Sequence, residues 1–259
     1  MFRVFGIRLA VHFSFFLLLA YVAWSGWVEG GWLDAAWSGA AVLALFTCVV
    51  LHELGHSLTA RRYGIGVSRI LLLPIGGMAE FDSIPRQPRR ELLITLAGPA
   101  VNFAIALITA PFLPLSSLWA SLQTTGQIPL TLTGLALEVW LMNLVMGCFN
   151  LLPVFPMDGG RILRALLAMR WPYLKATFWA ATTGKVLAVI GIAAWILIGH
   201  NYLGALLFSF IFVAGDLEYR AVKRREEAAA QWQLLVRRIY GPFGGEKGEV
   251  PVTVLHGPN

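Results

Sequence analysis

The sequence predicts an all-α polytopic membrane protein with about six transmembrane helices and a short membrane-associated β-hairpin after the second helix. The chain is 58% hydrophobic and 13% charged, whereas soluble domains carry about 25% charged residues. Several apolar runs reach the ~20 residues that cross a bilayer core. Lysines and arginines cluster at the N-terminus, in two connections and in the tail, a distribution that marks cytoplasmic segments.

The predicted spans alternate with connections of opposite character. They cover residues 9–28, 38–59, 92–113, 132–152, 178–198 and 202–217. The connection after the first span holds Glu29 and Asp34 without a basic residue, and the connection from Pro114 to Thr131 has no charge. The arginine-rich connections lie on the opposite side, so both termini are predicted to be cytoplasmic.

The segment Val67–Phe81 is apolar but too short for a span, and Gly76 and Gly77 interrupt it. Two short apolar runs around these glycines predict a hairpin. Unpaired strands cannot face lipid, so the hairpin should line a cavity or lie at the interface. It could then pair with an extended peptide, and Ile75→Pro should impair that pairing.

Residues 1–219 are predicted to form the membrane domain, and 220–259 a basic cytoplasmic tail with a surface helix and a loose end from residue 241. The net charge of +6 lies mainly in the predicted cytoplasmic segments, so the expected partner of these charges is the lipid bilayer and not nucleic acid. Glu138 falls near the outer end of the fourth span and is interpreted as interfacial.

The pattern His52-Glu53-Leu-Gly-His56 predicts a metal site at the end of the second span. Residues i and i+4 share one face of a helix, so both imidazoles can reach one zinc ion. Glu53 stands beside the first ligand, where a carboxylate can act as the general base toward water. Cys48, one turn earlier, is interpreted as a buried packing residue.

Catalytic zinc usually has three protein ligands, and Asp158 is the favoured third one. It follows Pro153 and Pro156, which end the fourth span at the depth of His56. Gly159 and the glycine after it allow the sharp turn that would direct the carboxylate toward the metal. The other histidines are less suited by position: His12, His200 and His256.

Four segments of this sequence resemble the site-2 protease family of intramembrane zinc metalloproteases. They are LHELGH (51–56), PIGGMAEF (74–81), LAGPAVNF (96–103) and NLLPVFPMDGGR (150–161). The N-terminal GIRLAVHFSF is similar to the compact subgroup that includes a sporulation protease acting on a pro-sigma factor. The resemblance covers about residues 1–217. The PDZ and CBS modules of other members are not expected, because the connection at 60–91 is too short for one and the tail after residue 217 has 42 residues.

The resemblance implies an endopeptidase of the inner membrane that cuts in or near a transmembrane segment, toward the cytoplasmic side. It implies one catalytic Zn²⁺ with Glu53 as base. The implied ligands are His52, His56 and Asp158. The implied substrate-binding residues are Asn102, Asn150, Gly76 and Gly77, with Asn143 as a weaker candidate. Substrates of the family include membrane-bound anti-sigma factors, pro-sigma factors and remnant signal peptides.

Two other classes of function remain open at this stage. A metal transporter could use buried histidine and aspartate, but it would not specifically need Glu53 beside the first histidine. A catalytically idle scaffold could retain the fold, but the intact motif and Asp158 argue against it. Metal flux in vesicles and zinc content separate these alternatives from a protease.

Overall fold

The computed structural model describes residues 2–74, 76–82, 87–113, 123, 130–199 and 202–240. Ile75, His200, His256 and the predicted loose end at 241–259 lie outside these ranges. The chain divides into two compact units, Met1–Leu152 and Pro153–Asn259. The predicted boundary between residues 219 and 220 stays a prediction.

The first unit contains a four-stranded mixed sheet. Its strands are β1 (Phe2–Val4), β2 (Ile7–Val11), β3 (Val67–Leu73) and β4 (Gly76–Phe81). The strand order is β1-β2-β3-β4, with β2 parallel to β3 and the other neighbours antiparallel. The pairing of Leu73 with Gly76 makes β3 and β4 a hairpin.

The N-terminal strands were not predicted, because the first span was placed from residue 9. The chain remains extended to Val11, and the first helix begins at Phe13. Phe5 and Gly6 both have positive φ, at 50° and 80°, which is typical of a two-residue hairpin turn of type I′. His12 then caps the helix, since its Nδ1 accepts from the Ser14 amide at 3.2 Å.

Helix α1 runs from Phe13 to Arg62 and doubles back on itself at Gly30 and Gly31, where the backbone is not helical. The rings of Phe15 and Phe46 lie only 4.6 Å apart, although a straight helix would separate these residues by about 47 Å. The helix therefore forms two antiparallel limbs. These limbs correspond to the first two predicted spans.

Five further helices follow α1 in the described ranges. They are α2 (Pro88–Thr109, extended by a 3₁₀ turn at Ala110–Phe112), α3 (Leu132–Asn150), α4 (Asp158–Ala168), α5 (Tyr173–Ala194) and α6 (Tyr202–Tyr240). Within the described ranges, four helical segments are long and apolar enough to cross a membrane: Phe13–Arg62, Pro88–Phe112, Leu132–Asn150 and Tyr173–Leu197. The helical membrane class is confirmed in this coarse form, and six spans with a membrane-associated hairpin remain a prediction.

The second unit holds charged side chains between its helices. Arg164 is 1% exposed, stacks over the ring of Phe155 at 5.3 Å and that of Tyr173 at 5.1 Å, and donates to Glu218 at 2.5 Å. Lys185, the basic residue that interrupts an apolar run in the sequence, pairs with Asp216 on α6. A lysine among apolar side chains is thus compensated by a nearby carboxylate.

Candidate metal centre

His52 and His56 lie on the second limb of α1, inside the first unit. Both side chains are buried, at 5% and 7% exposure. Their Nε2 atoms lie 3.1 Å apart, as expected for residues one turn apart whose rings converge. The predicted pair of ligands is therefore brought together at a single point.

Each imidazole is held by its other nitrogen. The Nδ1–H of His52 donates to Oδ1 of Asn102 at 2.6 Å, and the Nδ1–H of His56 donates to the carbonyl oxygen of Ile94 at 2.8 Å. A carbonyl oxygen can only accept, so the proton belongs on Nδ1. Both Nε2 lone pairs then face the same point, which is the arrangement of metal-binding histidines with fixed outer partners.

The orientation of Asn102 is fixed by a longer buried chain. Its Nδ2 donates to Oδ1 of Asn143 at 2.9 Å, and both asparagines are fully buried. Asn143 in turn donates to the carbonyl of Val139 at 2.8 Å and to Sγ of Cys48 at 3.0 Å. The chain links α1, α2 and α3 and presents the acceptor of Asn102 to His52.

Two glycines allow α2 to approach the histidines. A Cβ on Gly98 would overlap the imidazoles of both His52 and His56. A Cβ on Gly55 would lie 2.7 Å from the carbonyl oxygen of Ala97. Gly98 was not predicted as a site residue, although its place in the LAGPAVNF segment was the available signal.

Glu53 lies next to strand β4. A Cβ on Gly77 would lie 2.7 Å from Cγ of Glu53 and 3.0 Å from Cγ1 of Val49. The missing side chain at Gly77 therefore leaves the room that Glu53 occupies. Gly76 has φ of 141°, a conformation that side chains other than glycine rarely adopt. Gly77 thus lies beside the predicted base, and Gly76 begins the same strand. The contact of both glycines with substrate stays a prediction.

The remaining predicted residues lie at helix ends. Asn150 is the last residue of α3 in the first unit. Asp158 is the first residue of α4 in the second unit, after Met157 in extended conformation. The ligand role of Asp158 and the substrate role of Asn150 remain predictions.

A family model described as peptidase family M50 matches residues 40–139 and 126–191, which together cover more than half of the chain. The chain belongs to peptidase family M50. This confirms the predicted resemblance to site-2 proteases, and the matched region includes both the histidine motif and the Asp158 segment.

Relatives of this M50 chain are named metalloproteases. A zinc metalloprotease of Methanocaldococcus jannaschii is 40% identical over 223 residues, which are 86% of this chain and 61% of the relative. The Rip3 protein of Mycobacterium tuberculosis is 32% identical over 243 residues, 86% of this chain and 59% of the relative. The M50 chain thus spans about six-tenths of the length of these two proteins.

Stage IV sporulation protein FB of Bacillus subtilis is 27% identical over 217 residues, 83% of the M50 chain and 69% of that protein. Among solved structures, the site-2 protease from Methanocaldococcus jannaschii matches with a TM-score of 0.57 and 36% identity. That match covers 85% of the M50 chain and 94% of the solved chain. The fold and the sequence thus agree on the same family.

Proposed function

We propose that this M50 chain is an intramembrane zinc endopeptidase that hydrolyses a peptide bond in or near a transmembrane segment of a membrane protein. The observation that carries the proposal is the buried pair of Nε2 atoms 3.1 Å apart, each ring fixed through its Nδ1. Glu53 follows the first histidine directly, where a general base is needed. The relatives named as zinc metalloproteases support the same activity.

The chemistry of the proposed ligands, His52, His56 and Asp158, suits a single zinc ion. Neutral imidazole and carboxylate are suitable donors for Zn²⁺. Asp158 begins α4 beside a tight turn, since a Cβ on Gly160 would lie 2.8 Å from the backbone nitrogen of Phe155. A tight turn of this kind restricts the backbone at Asp158 and so favours one position of its carboxylate. When bound, zinc supplies Lewis acidity that makes water a better nucleophile and polarises a carbonyl.

Residues of the protein are proposed to transfer the proton and to hold the histidine ligands in position. Glu53 accepts the proton of the attacking water and passes it to the nitrogen of the leaving amine. Asn102 and the Ile94 carbonyl hold the two imidazoles in the orientation that binding requires. A mostly hydrocarbon surrounding strengthens each of these electrostatic interactions.

The substrate is expected to bind as an extended strand. A transmembrane helix keeps its amide bonds within its own hydrogen-bond ladder, so it must unwind before cleavage. Strand β4 is an edge strand of the sheet in the described residues, and its Gly77 lies against Glu53. Addition of the substrate strand to this edge would bring its backbone beside the base.

The orientation of the centre is proposed to be cytoplasmic. His56 lies five residues before Arg61 and Arg62, which end α1. That spacing corresponds to about 8 Å along the helix. Under the positive-inside rule the centre then lies near the cytoplasmic face of the inner membrane. Substrates of the anti-sigma, pro-sigma or remnant signal peptide classes would have their cleavage sites there.

The proposal is tested with purified protein reconstituted in vesicles. The probe is a single-span reporter whose transmembrane segment carries helix breakers near its cytoplasmic end. We expect about one zinc per parent chain and cleavage of the reporter, zinc without cleavage in Glu53→Gln, and strongly reduced zinc in Asp158→Ala. Replacing the helix breakers by leucine should slow cleavage.

Other outcomes favour the alternative functions. Zinc flux into vesicles that persists in Glu53→Gln would identify a transporter. A folded parent without zinc would identify a scaffold. Full zinc in Asp158→Ala would remove that residue from the ligand set and leave the histidine pair as the centre.

A further inference from the structure

A second polar site lies in the first unit, away from the histidines. A cavity of about 460 Å³ opens between the two limbs of α1 and helix α3. Most of its lining is aliphatic, and Leu45, Leu141 and Met142 belong to it. Trp37, Ser38 and Glu138 also line it. The mechanism proposed above uses none of these residues.

Two polar atoms of the lining have no hydrogen-bond partner in the part of the chain that the structure describes. They are Nε1 of Trp37, which is a donor, and Oε2 of Glu138. Both atoms are buried. Burial of such atoms without a partner is unfavourable, particularly for a carboxyl group. The cavity therefore suits a ligand that offers an acceptor to the indole and a donor to the carboxylate.

Both residues lie toward the predicted outer ends of their helices. Trp37 lies six residues after the reversal at Gly31, and Glu138 lies six residues after the start of α3 at Leu132. Each is about 9 Å from its helix end, within reach of head groups at the predicted outer surface. Exposed tryptophans surround the reversal, as in an interfacial aromatic belt. They are Trp24, Trp27 and Trp32.

The acidic side chains at this end of the first unit favour a ligand that carries a positive charge. Glu29, Asp34 and Glu138 lie at this end, whereas the sequence has no lysine or arginine between Arg8 and Arg61. It also has none between residues 91 and 160. A substrate segment is an unsuitable source of the cation, because the outer flanks of spans are poor in lysine and arginine. The amine of a lipid head group is available at this depth.

We propose that the cavity binds the head group of an amine-bearing zwitterionic phospholipid, of the phosphatidylethanolamine class. Its ammonium donates to Oε2 of Glu138, and a phosphate oxygen accepts from Nε1 of Trp37. The acyl chains lie along the aliphatic lining. Each polar atom then gains a partner, and the carboxylate faces a cation.

The experiment measures which lipids remain bound to the purified full chain. The delipidated protein is incubated with equal amounts of phosphatidylethanolamine, phosphatidylcholine and phosphatidylglycerol in detergent, and bound lipids are counted by native mass spectrometry. We expect the parent to retain phosphatidylethanolamine about tenfold over phosphatidylcholine, because choline offers the carboxylate no N–H donor. One hydrogen bond to a charged group accounts for a ratio of that order.

Two variants assign the preference to the cavity. Glu138→Gln should bring the two lipids to about equal retention, whereas Trp37→Phe should lower the retention of both about tenfold, because both carry the phosphate that accepts from the indole. Glu29→Gln is the matched control, since it removes one negative charge at the same end of the unit. Glu29 does not line the cavity, and its carboxylate accepts from Ser25 at 3.1 Å. This variant should keep the parental preference.

Three outcomes overturn the proposal. They are equal retention of choline and ethanolamine lipids by the parent, unchanged preference in Glu138→Gln with unchanged lipid retention in Trp37→Phe, and loss of the preference in Glu29→Gln. Free phosphoethanolamine that competes as well as the lipid would overturn the assignment to a membrane lipid. Zinc content is measured in parallel and is expected to stay constant, so failure here is distinct from failure of the proteolytic function.

Discussion

At the metal centre both His52 and His56 carry a proton on Nδ1, because each Nδ1–H donates to an oxygen that is held in place. The oxygen for His56 belongs to the backbone of Ile94 and cannot be removed by substitution. The oxygen for His52 belongs to the side chain of Asn102. That difference makes Asn102 the residue through which the orientation of one ligand can be tested.

Asn102→Ala is expected to weaken zinc binding about 10- to 100-fold, the usual effect of removing an outer partner of a histidine ligand. Competition with a chelator of known affinity measures this change. Asn102→Asp retains an acceptor oxygen and should recover part of the affinity. Asn143→Ala, one hydrogen bond further along the chain, should have a smaller effect. Parental affinity in Asn102→Ala would contradict the orienting role.

Gly98→Ala is expected to abolish tight zinc binding, because its methyl group would overlap both imidazoles. Overpacking of this kind destabilises by about 1–3 kcal/mol. Zinc content and the thermal midpoint are the measurements. Gly39→Ala is the matched control, since a Cβ there meets nothing within 4 Å. A Gly98→Ala protein that binds zinc as tightly as the control would show that the helices can separate without harm.

The sequence was sufficient to single out His52, Glu53 and His56, because all three lie within about one helical turn and their spacing determines their relative positions. It also singled out Asn102 as an implied substrate contact, which stays a prediction, and the structure adds a hydrogen bond between its fully buried amide and His52. That contact joins residues 50 positions apart and depends on how closely two helices approach. Local periodicity contains no information on such a distance.

At the scale of elements, β4 connects the sheet to the predicted base. Gly77→Ala places a methyl group 2.7 Å from Cγ of Glu53, so the carboxylate must shift. A displacement of about 1 Å can lower a rate as much as 100-fold. We expect cleavage of the reporter to fall about tenfold or more while zinc content is retained. Cleavage within twofold of the parent would mean that Glu53 has room to adjust.

The β3–β4 hairpin is joined at its surface by Arg69 and Glu80. Two hydrogen bonds of 2.8 Å connect their side chains. The hydrogen bonds from Arg69 lower the pKa of Glu80 below the ordinary range of a glutamic acid. Because the folded pKa is the lower one, the contribution is present at neutral pH and is lost as the pH falls through it.

The protection of amides in β3 and β4 against hydrogen exchange, taken relative to the intrinsic exchange rate at each pH, should therefore fall in acid, and Glu80→Gln should reduce that acid dependence. The effect is expected to be small because both side chains are exposed. Protection factors measured at neutral and acid pH in the parent and the variant give the comparison. An identical acid dependence in both proteins would assign it to other groups.

The elements were predictable to different degrees. Gly76 and Gly77 interrupt an apolar run, so the β3–β4 hairpin could be inferred. The end of β2, residues 9–11, was included in the predicted first span, and β1 and the start of β2 before it were assigned no structure. Helix α6 continues past Arg220 to Tyr240, because the change from apolar to charged residues brings no proline. The change in composition marks the predicted boundary there, and one continuous helix passes through it.

At the scale of the whole molecule, the charge distribution predicts one orientation in the membrane. In a background with Cys48→Ser and Cys148→Ser, a cysteine introduced at Arg3 or Arg238 should react with an impermeant thiol reagent only from the cytoplasmic side. A cysteine at Glu29 should react only from the outside. Labelling from the opposite sides would reverse the topology. Labelling of residues 3 and 238 from different faces would contradict an even number of spans.

The reversal of α1 at Gly30 and Gly31 has a consequence for biogenesis. The two limbs are already paired through Phe15 and Phe46, so they can enter the bilayer together as one helical hairpin. Its tip carries Glu29 and Asp34 and no cation. In a cell with a negative interior, moving each carboxylate outward gains about 2.3 kcal/mol per 100 mV. Insertion of this hairpin in its predicted direction is therefore expected to be favoured by the resting potential of the cell.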